Sequence, residues 1–255
     1  MIDRKKFSRI FTVLGIFLCS GCAYLNPVIQ NFNIVSVEEE KQIGEKMSAE
    51  VAKEMPIVTD PTLNLRVKQL GERLESALPQ HSFDYQFYVV DDQTPNAFTI
   101  PGGSIYIHSS LLKFVDDDNE LAGVLAHEIG HMYERHPAKA LSRSYGLETL
   151  SNIIFKDNKS QIRNIALQFA GGSLLTKYSR EDENEADLVS FYLTRRAGMP
   201  TDGLLRFLIK LNQLQSSGFS IPFMSTHPPT PERIQRLTAL QRGDVKQSLF
   251  ESSTS

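Results

Sequence analysis

Cysteine is almost missing from this chain: 255 residues hold two, Cys19 and Cys22, both near the start. Two thiols cannot build a disulfide framework. Long apolar runs are missing too, since none reaches the ~18 residues that a membrane span needs. Neither sign of charge dominates. With 27 basic and 30 acidic side chains the formal charge is −3, which leaves no electrostatic case for nucleic-acid binding. The remaining composition, 41% apolar and 22% charged, is that of an ordinary globular body and excludes fibre and disorder.

What is present begins with an unusual N-terminus. Arg4, Lys5, Lys6 and Arg9 precede an apolar stretch, Ile10 to Cys19. A basic segment followed by a short apolar one reads as a secretory leader. It runs into Cys19-Ser20-Gly21-Cys22, which resembles the lipobox of bacterial lipoproteins, with Cys19 where leucine is usual. The expected outcome is cleavage after residue 21 and acylation of Cys22. Ala23, in place of Asp, resembles lipoproteins addressed to the outer membrane of Gram-negative bacteria. Loss of residues 1–21 removes four basic and one acidic side chain and leaves the rest at −6. Residues 22–255 carry no repeat and no obvious linker, so one domain is expected there.

Ser36-Val37-Glu38-Glu39 has the form of a capping box, and Ile43, Met47 and Val51 continue it as a helix over 37–54. Asp60-Pro61 starts a second helix that ends before Pro79. A strand is expected at Tyr85–Val90. Two short strands, Ala97–Ile100 and Ser104–His108, flank Pro101-Gly102-Gly103 as a hairpin. Helices follow at about 118–135, 138–155, 160–178, 180–197, 202–216 and 230–241, and residues 248–255 read as a frayed tail. The class is α+β, mainly helical, with a small sheet.

Chemistry concentrates in His127-Glu128-Ile129-Gly130-His131. On a helix the two histidines are one turn apart and both can reach one metal, with Glu128 displaced toward a water. A catalytic zinc needs a third protein ligand. Downstream, Glu183 and Asp187 share a helix face. Glu183 can be that ligand, while Asp187 can accept the far N–H of a ligating histidine. Glu181 and Glu185 are rival ligands without an aspartate four residues on. Ala186 is small enough to let the two helices meet. A metzincin would need His at 137 and Gly at 134, where this chain has Pro137 and Glu134. His136 misses by one and leads into a proline expected to end the helix. His81 and His108 read as surface residues.

HExxH followed by Ser179-Arg180…Glu183…Ala186-Asp187 resembles the HtpX-type zinc metallopeptidases, which include compact periplasmic lipoproteins of the LoiP and BepA kind. Asn96-Ala97-Phe98…Pro101-Gly102-Gly103 and His227-Pro228…Arg233 are similar to two further segments of that family. The resemblance covers roughly residues 60–240. It implies a zincin-like fold and one Zn2+ per chain, held by His127, His131 and Glu183. It also implies peptide hydrolysis, with Glu128 as general base and then acid. Asn96, Ala97, Phe98 and Thr99 become the edge strand that binds an extended polypeptide. His227 and Arg233 become candidates for stabilising the oxyanion. In relatives of the BepA kind a histidine in a segment like that of His227 can instead hold the enzyme latent at the metal. The expected substrates are unfolded or misassembled proteins of the periplasm, reached from a lipid anchor on the outer membrane, with envelope assembly machinery as a possible partner. The rival reading is a zinc-stabilised chaperone or assembly factor, against which the intact Glu128 argues.

Overall fold

A computed structural model describes residues 33–145, 147–156, 158–171 and 177–244. The expected leader, Cys22 and the expected tail therefore lie outside the described residues. The chain opens with two helices, α1 (Val37–Glu54) and α2 (Pro61–Glu75). Ser36 and Glu39 form the reciprocal capping box of α1, satisfying backbone donors that the first turn cannot pair. Asp60 caps α2, and Pro61 sits at its first position, where a missing N–H costs nothing.

Three strands follow: β1 (Gln86–Val90), β2 (Ala97–Thr99) and β3 (Ser104–His108). β2 and β3 form the expected antiparallel hairpin, with Thr99 opposite Ile105. Gly102 and Gly103 turn it at φ values of 88° and 104°, a region that favours glycine. β1 joins the other side of β3 in parallel, giving the order β1-β3-β2. The two faces of the sheet divide the core. Ala97, Ile105 and Ile107 face one apolar cluster, while Phe98, Ile100 and Tyr106 face the other, with α1.

The remainder is helical: α3 (Ser109–Phe114), α4 (Asp118–Tyr133), α5 (His136–Ser144), α6 (Leu147–Phe155), α7 (Lys159–Ala170), α8 (Arg180–Arg196), α9 (Gly203–Ser216), α10 (Pro222–Thr226) and α11 (Pro231–Arg242). α4 is the centre of the molecule. Every residue from Glu120 to Met132 is buried, because β2, α8 and α9 pack around it. A side chain at Gly130 would collide with the backbone of Ala186 on α8. The small residue at each position is what brings the two helices together.

Four expectations need correction. The helix expected at 160–178 stops at Ala170 as α7, and Tyr178 lies outside it. The helix expected at 138–155 is two, α5 and α6, because Tyr145 adopts an extended backbone that closes α5. Pro137 does not end a helix. It lies in the first turn of α5, after Arg135 turns the chain in the left-handed region at φ 58°. His108 is no surface residue but 3% exposed, with Nδ1 2.8 Å from the Thr94 carbonyl. His81 is exposed as expected. The short helices α3 and α10 have too few turns to leave a periodic signal.

Candidate active site

His127 and His131 project from the C-terminal half of α4, and Glu183 and Asp187 from the first two turns of α8. The capping box of Ser179 and Asp182 fixes where α8 begins. α10 ends at His227, whose backbone N–H closes its last turn on Phe223. Arg233 lies in the first turn of α11, which Thr230 caps. These four elements bring together six of the seven sequence-predicted metal and catalytic residues: His127, Glu128, His131, Glu183, Asp187 and His227. Arg233 joins them as a seventh. All seven are buried, none more than 4% exposed.

The donor atoms converge. His127 Nε2 lies 3.0 Å from His131 Nε2, and Glu183 carboxylate oxygens lie 3.5 Å from each. His227 Nδ1 is 3.2 Å from His127 Nε2 and 2.9 Å from Glu183 Oε1. A tetrahedral metal ion bound at ~2.0–2.1 Å sets its ligand atoms about 3.3 Å apart. The four side chains fit such an ion. Glu128 supports the same fit from another direction. Both of its carboxylate oxygens are buried without a hydrogen-bond partner, a costly state that a polar molecule at the site would relieve.

Electrostatics follow from burial and neighbours. Burial raises the Glu128 pKa above the carboxylate range, with His227 and His127 pulling it back. Burial pushes Glu183 the same way, but Arg233, His227, His127 and His131 together hold it well below that range. Burial likewise opposes charge on His127, yet Asp187 and Glu183 outweigh it and lift its pKa to about 9. His131 goes the other way. Burial, with the like charges of His127 and His136, carries it well below the usual imidazole range despite Glu183.

Arg233 is neither on a helix surface nor turned to an open cleft. Nη1 lies 2.6 Å from Glu183 Oε2 and 3.0 Å from the Pro228 carbonyl, and the rest of the fork grips Asp187. Asp187 Oδ1 lies 3.1 Å from His127 Nδ1, close enough for charge contact but off the line of a hydrogen bond. Of the rival ligands, Glu181 is exposed and outside the cluster. Glu185 belongs to a second group with His136 and Asp182.

β2 packs against α4 and α7 and is an edge strand of the sheet among the described residues. Asn96 and Ile100 hydrogen-bond across to His108 and Ser104. In an antiparallel ladder the bonded pairs alternate, so the backbone groups of Ala97 and Thr99 face away from β3. Asn96, Ala97, Phe98 and Thr99 are themselves buried.

Sequence reading missed Tyr178. Its ring stacks on His131 at 4.0 Å between centroids, and it is 7% exposed. Its place beside the cap residue Ser179 was the only available signal. It also missed that His136 reaches the back of His131.

The sequence model of Peptidase family M48 matches residues 61–241. The chain belongs to Peptidase family M48. The match begins at α2 and ends within α11, so it takes in the sheet, the HExxH helix and Arg233. Among relatives in this family, the beta-barrel assembly-enhancing protease of Escherichia coli K12 is 29% identical over 210 residues, 78% of this chain and 43% of that protein. The chain thus spans less than half the length of that relative. Metalloprotease YcaL of the same organism is 30% identical over 179 residues, 68% of this chain and 67% of that protein. The mitochondrial metalloendopeptidase OMA1 of Schizosaccharomyces pombe is 27% identical over 248 residues, 91% of this chain and 72% of that protein.

Proposed function

We propose that this member of family M48 is a zinc endopeptidase of the cell envelope. The observation that carries the reading is Glu128: a fully buried carboxylate with no hydrogen-bond partner and only His227 Nε2 in charge contact at 3.5 Å, beside three converging ligand side chains. A structural metal site has no use for a base in that position. His127, His131 and Glu183 would hold the ion, and two imidazoles with one carboxylate suit zinc. Zinc bound there would acidify a water and polarise the peptide carbonyl.

The rest is the work of this chain's own residues. Glu128, its pKa lifted by burial, takes a proton from the attacking water and returns it to the leaving amine. Asp187 orients His127 through Nδ1. Arg233 holds Glu183 and Asp187 in place, and its buried guanidinium adds positive charge beside the reacting carbonyl. His227 Nδ1 stands at the fourth corner of the ligand set, which supports a resting form in which it occupies that corner and must swing away to admit substrate. The outward backbone groups of Ala97 and Thr99, covered in this structure where α7 packs on β2, would pair with an extended polypeptide once that cover is displaced, largely independent of its side chains. Unfolded or misassembled envelope proteins fit that mode of binding. The leader and Cys22 support export to the periplasm and a lipid anchor on the outer membrane. The names of the bacterial relatives support a link to barrel assembly.

Glu128→Gln tests the assignment. The variant should bind one zinc by metal analysis, keep its fold and lose ~10²–10⁴-fold in cleavage of an unfolded substrate such as casein. Cleavage within a few-fold of the wild type would refute Glu128 as the base.

A further inference from the structure

His136 takes no part in the reaction proposed above, yet its side chain is fully buried. It opens α5 five residues after His131, and its Nδ1 meets His131 Nδ1 at 2.9 Å. Its other nitrogen, Nε2, lies 3.0 Å from Glu185 Oε2 and 3.4 Å from Asp182 Oδ1. We infer that His136 is a positioning residue: it holds the outer nitrogen of His131 and is itself held by Asp182 and Glu185. The inference rests on the metal reading of the main site.

Proton positions make the chain self-consistent. His131 turns Nε2 toward the other ligand atoms, so a neutral His131 carries its hydrogen on Nδ1. That N–H needs an acceptor, and among the described residues the group offered is His136 Nδ1. A histidine that accepts at Nδ1 carries its hydrogen on Nε2, which then donates to Glu185 Oε2, with Asp182 Oδ1 beside it in charge contact. Every ring nitrogen in the series has one defined role. The face of His131 is covered as well, by Tyr178. Its ring is therefore fixed at the edge and at the face before any ion arrives.

The arrangement parallels that of the other ligand. Asp187 of α8 backs His127 directly, while Asp182 and Glu185 of the same helix back His131 through one intervening imidazole. One helix thus supplies a metal ligand and both outer supports. His136, Asp182 and Glu185 could in principle bind a cation themselves. Two observations weigh against it. Arg143 lies 3.3 Å from Asp182 and Lys139 3.9 Å from Glu185, so both carboxylates already face positive charge. Asp182 also accepts the Ser179 backbone N–H at 2.9 Å, which commits it to capping α8.

The test uses the full chain, stripped of metal and reloaded. Zinc affinity is read by competition with a chelator of known strength, and the visible spectrum of a cobalt-substituted sample reports ligand geometry. His136→Leu keeps bulk but neither accepts nor donates. It should weaken zinc binding about 10- to 100-fold and shift the cobalt bands. His136→Asn, whose amide oxygen can stand in for Nδ1, should bind several-fold more tightly than the leucine variant. Wild-type affinity and spectrum in His136→Leu would overturn the inference, and so would equal losses in the two variants. If circular dichroism shows His136→Leu unfolded, Glu185→Ala decides. It changes a half-exposed side chain and should weaken zinc about three- to tenfold, and no change overturns the inference. A second equivalent of zinc, bound by the wild type and lost in Glu185→Ala, would make the cluster a cation site and overturn it too. A wild type that binds no zinc would instead remove the proposed function itself.

Discussion

Arg233 and Asp187 are joined by a two-pronged ion pair sealed from solvent, Nε to Oδ2 at 2.8 Å and Nη2 to Oδ1 at 2.6 Å. The fork matches the carboxylate in plane and number of donors. Through Asp187 the pair bears on His127, and through Nη1 it bears on Glu183. α11 therefore anchors the carboxylates of α8, which in turn contact His127 and His131 of α4.

Removing that guanidinium should be costly. Arg233→Ala leaves Asp187 and Glu183 buried with less countercharge, and breaking a buried pair in this way costs about 3–5 kcal/mol. Arg233→Lys restores the charge but not the fork and should recover only part of it. Denaturant unfolding of the metal-free chain measures both. A loss under about 1 kcal/mol in the alanine variant would contradict the anchoring role.

His227 should restrain the resting enzyme. With its imidazole at the fourth corner of the ligand set, His227→Ala opens that corner and is expected to raise basal cleavage of a short reporter peptide. A fall of about 10²–10³-fold in kcat would mean that the side chain stabilises the oxyanion instead. An unchanged rate would exclude both roles.

Glu40 gives the fold a pH dependence. It is fully buried against Arg135, 2.8 Å away, and burial lifts its pKa from 4.5 to about 7 despite that partner. The folded chain therefore binds this proton more tightly than the unfolded one. The contribution is fully present below about pH 4.5 and is lost as pH rises through about 7. Glu40→Gln has no such proton to lose. Its stability relative to the wild type should improve with rising pH, by roughly 3 kcal/mol at most. Urea titrations from about pH 5 to about pH 8 give the difference, and a constant one would show that Glu40 does not titrate there.

The anchor is testable in cells. The wild type should sediment with membranes and take up labelled fatty acid, and Cys22→Ala should do neither. Recovery of unlabelled wild type in the soluble fraction would rule out acylation at Cys22.

The sequence by itself determined much of this protein. The capping box at Ser36 placed the start of a helix, because a cap is a local exchange between residues three apart. Pro101-Gly102-Gly103 marked the hairpin, since positive φ is a local demand. HExxH one helical turn apart, and Glu183 with Asp187 at the same spacing, marked the site, because helical period alone puts those atoms on one side. Tertiary structure decided the rest. That β1 pairs with β3 in parallel depends on a crossover that no local pattern records. That Arg233 is buried depends on two carboxylates 46 and 50 residues earlier in the chain. His136 shows the division most clearly. Its spacing to His131 misses the metzincin ligand position by one residue, and spacing could say nothing more. Only the left-handed turn at Arg135 and the approach of α8 place it behind His131, where its two nitrogens meet His131 on one side and carboxylates on the other.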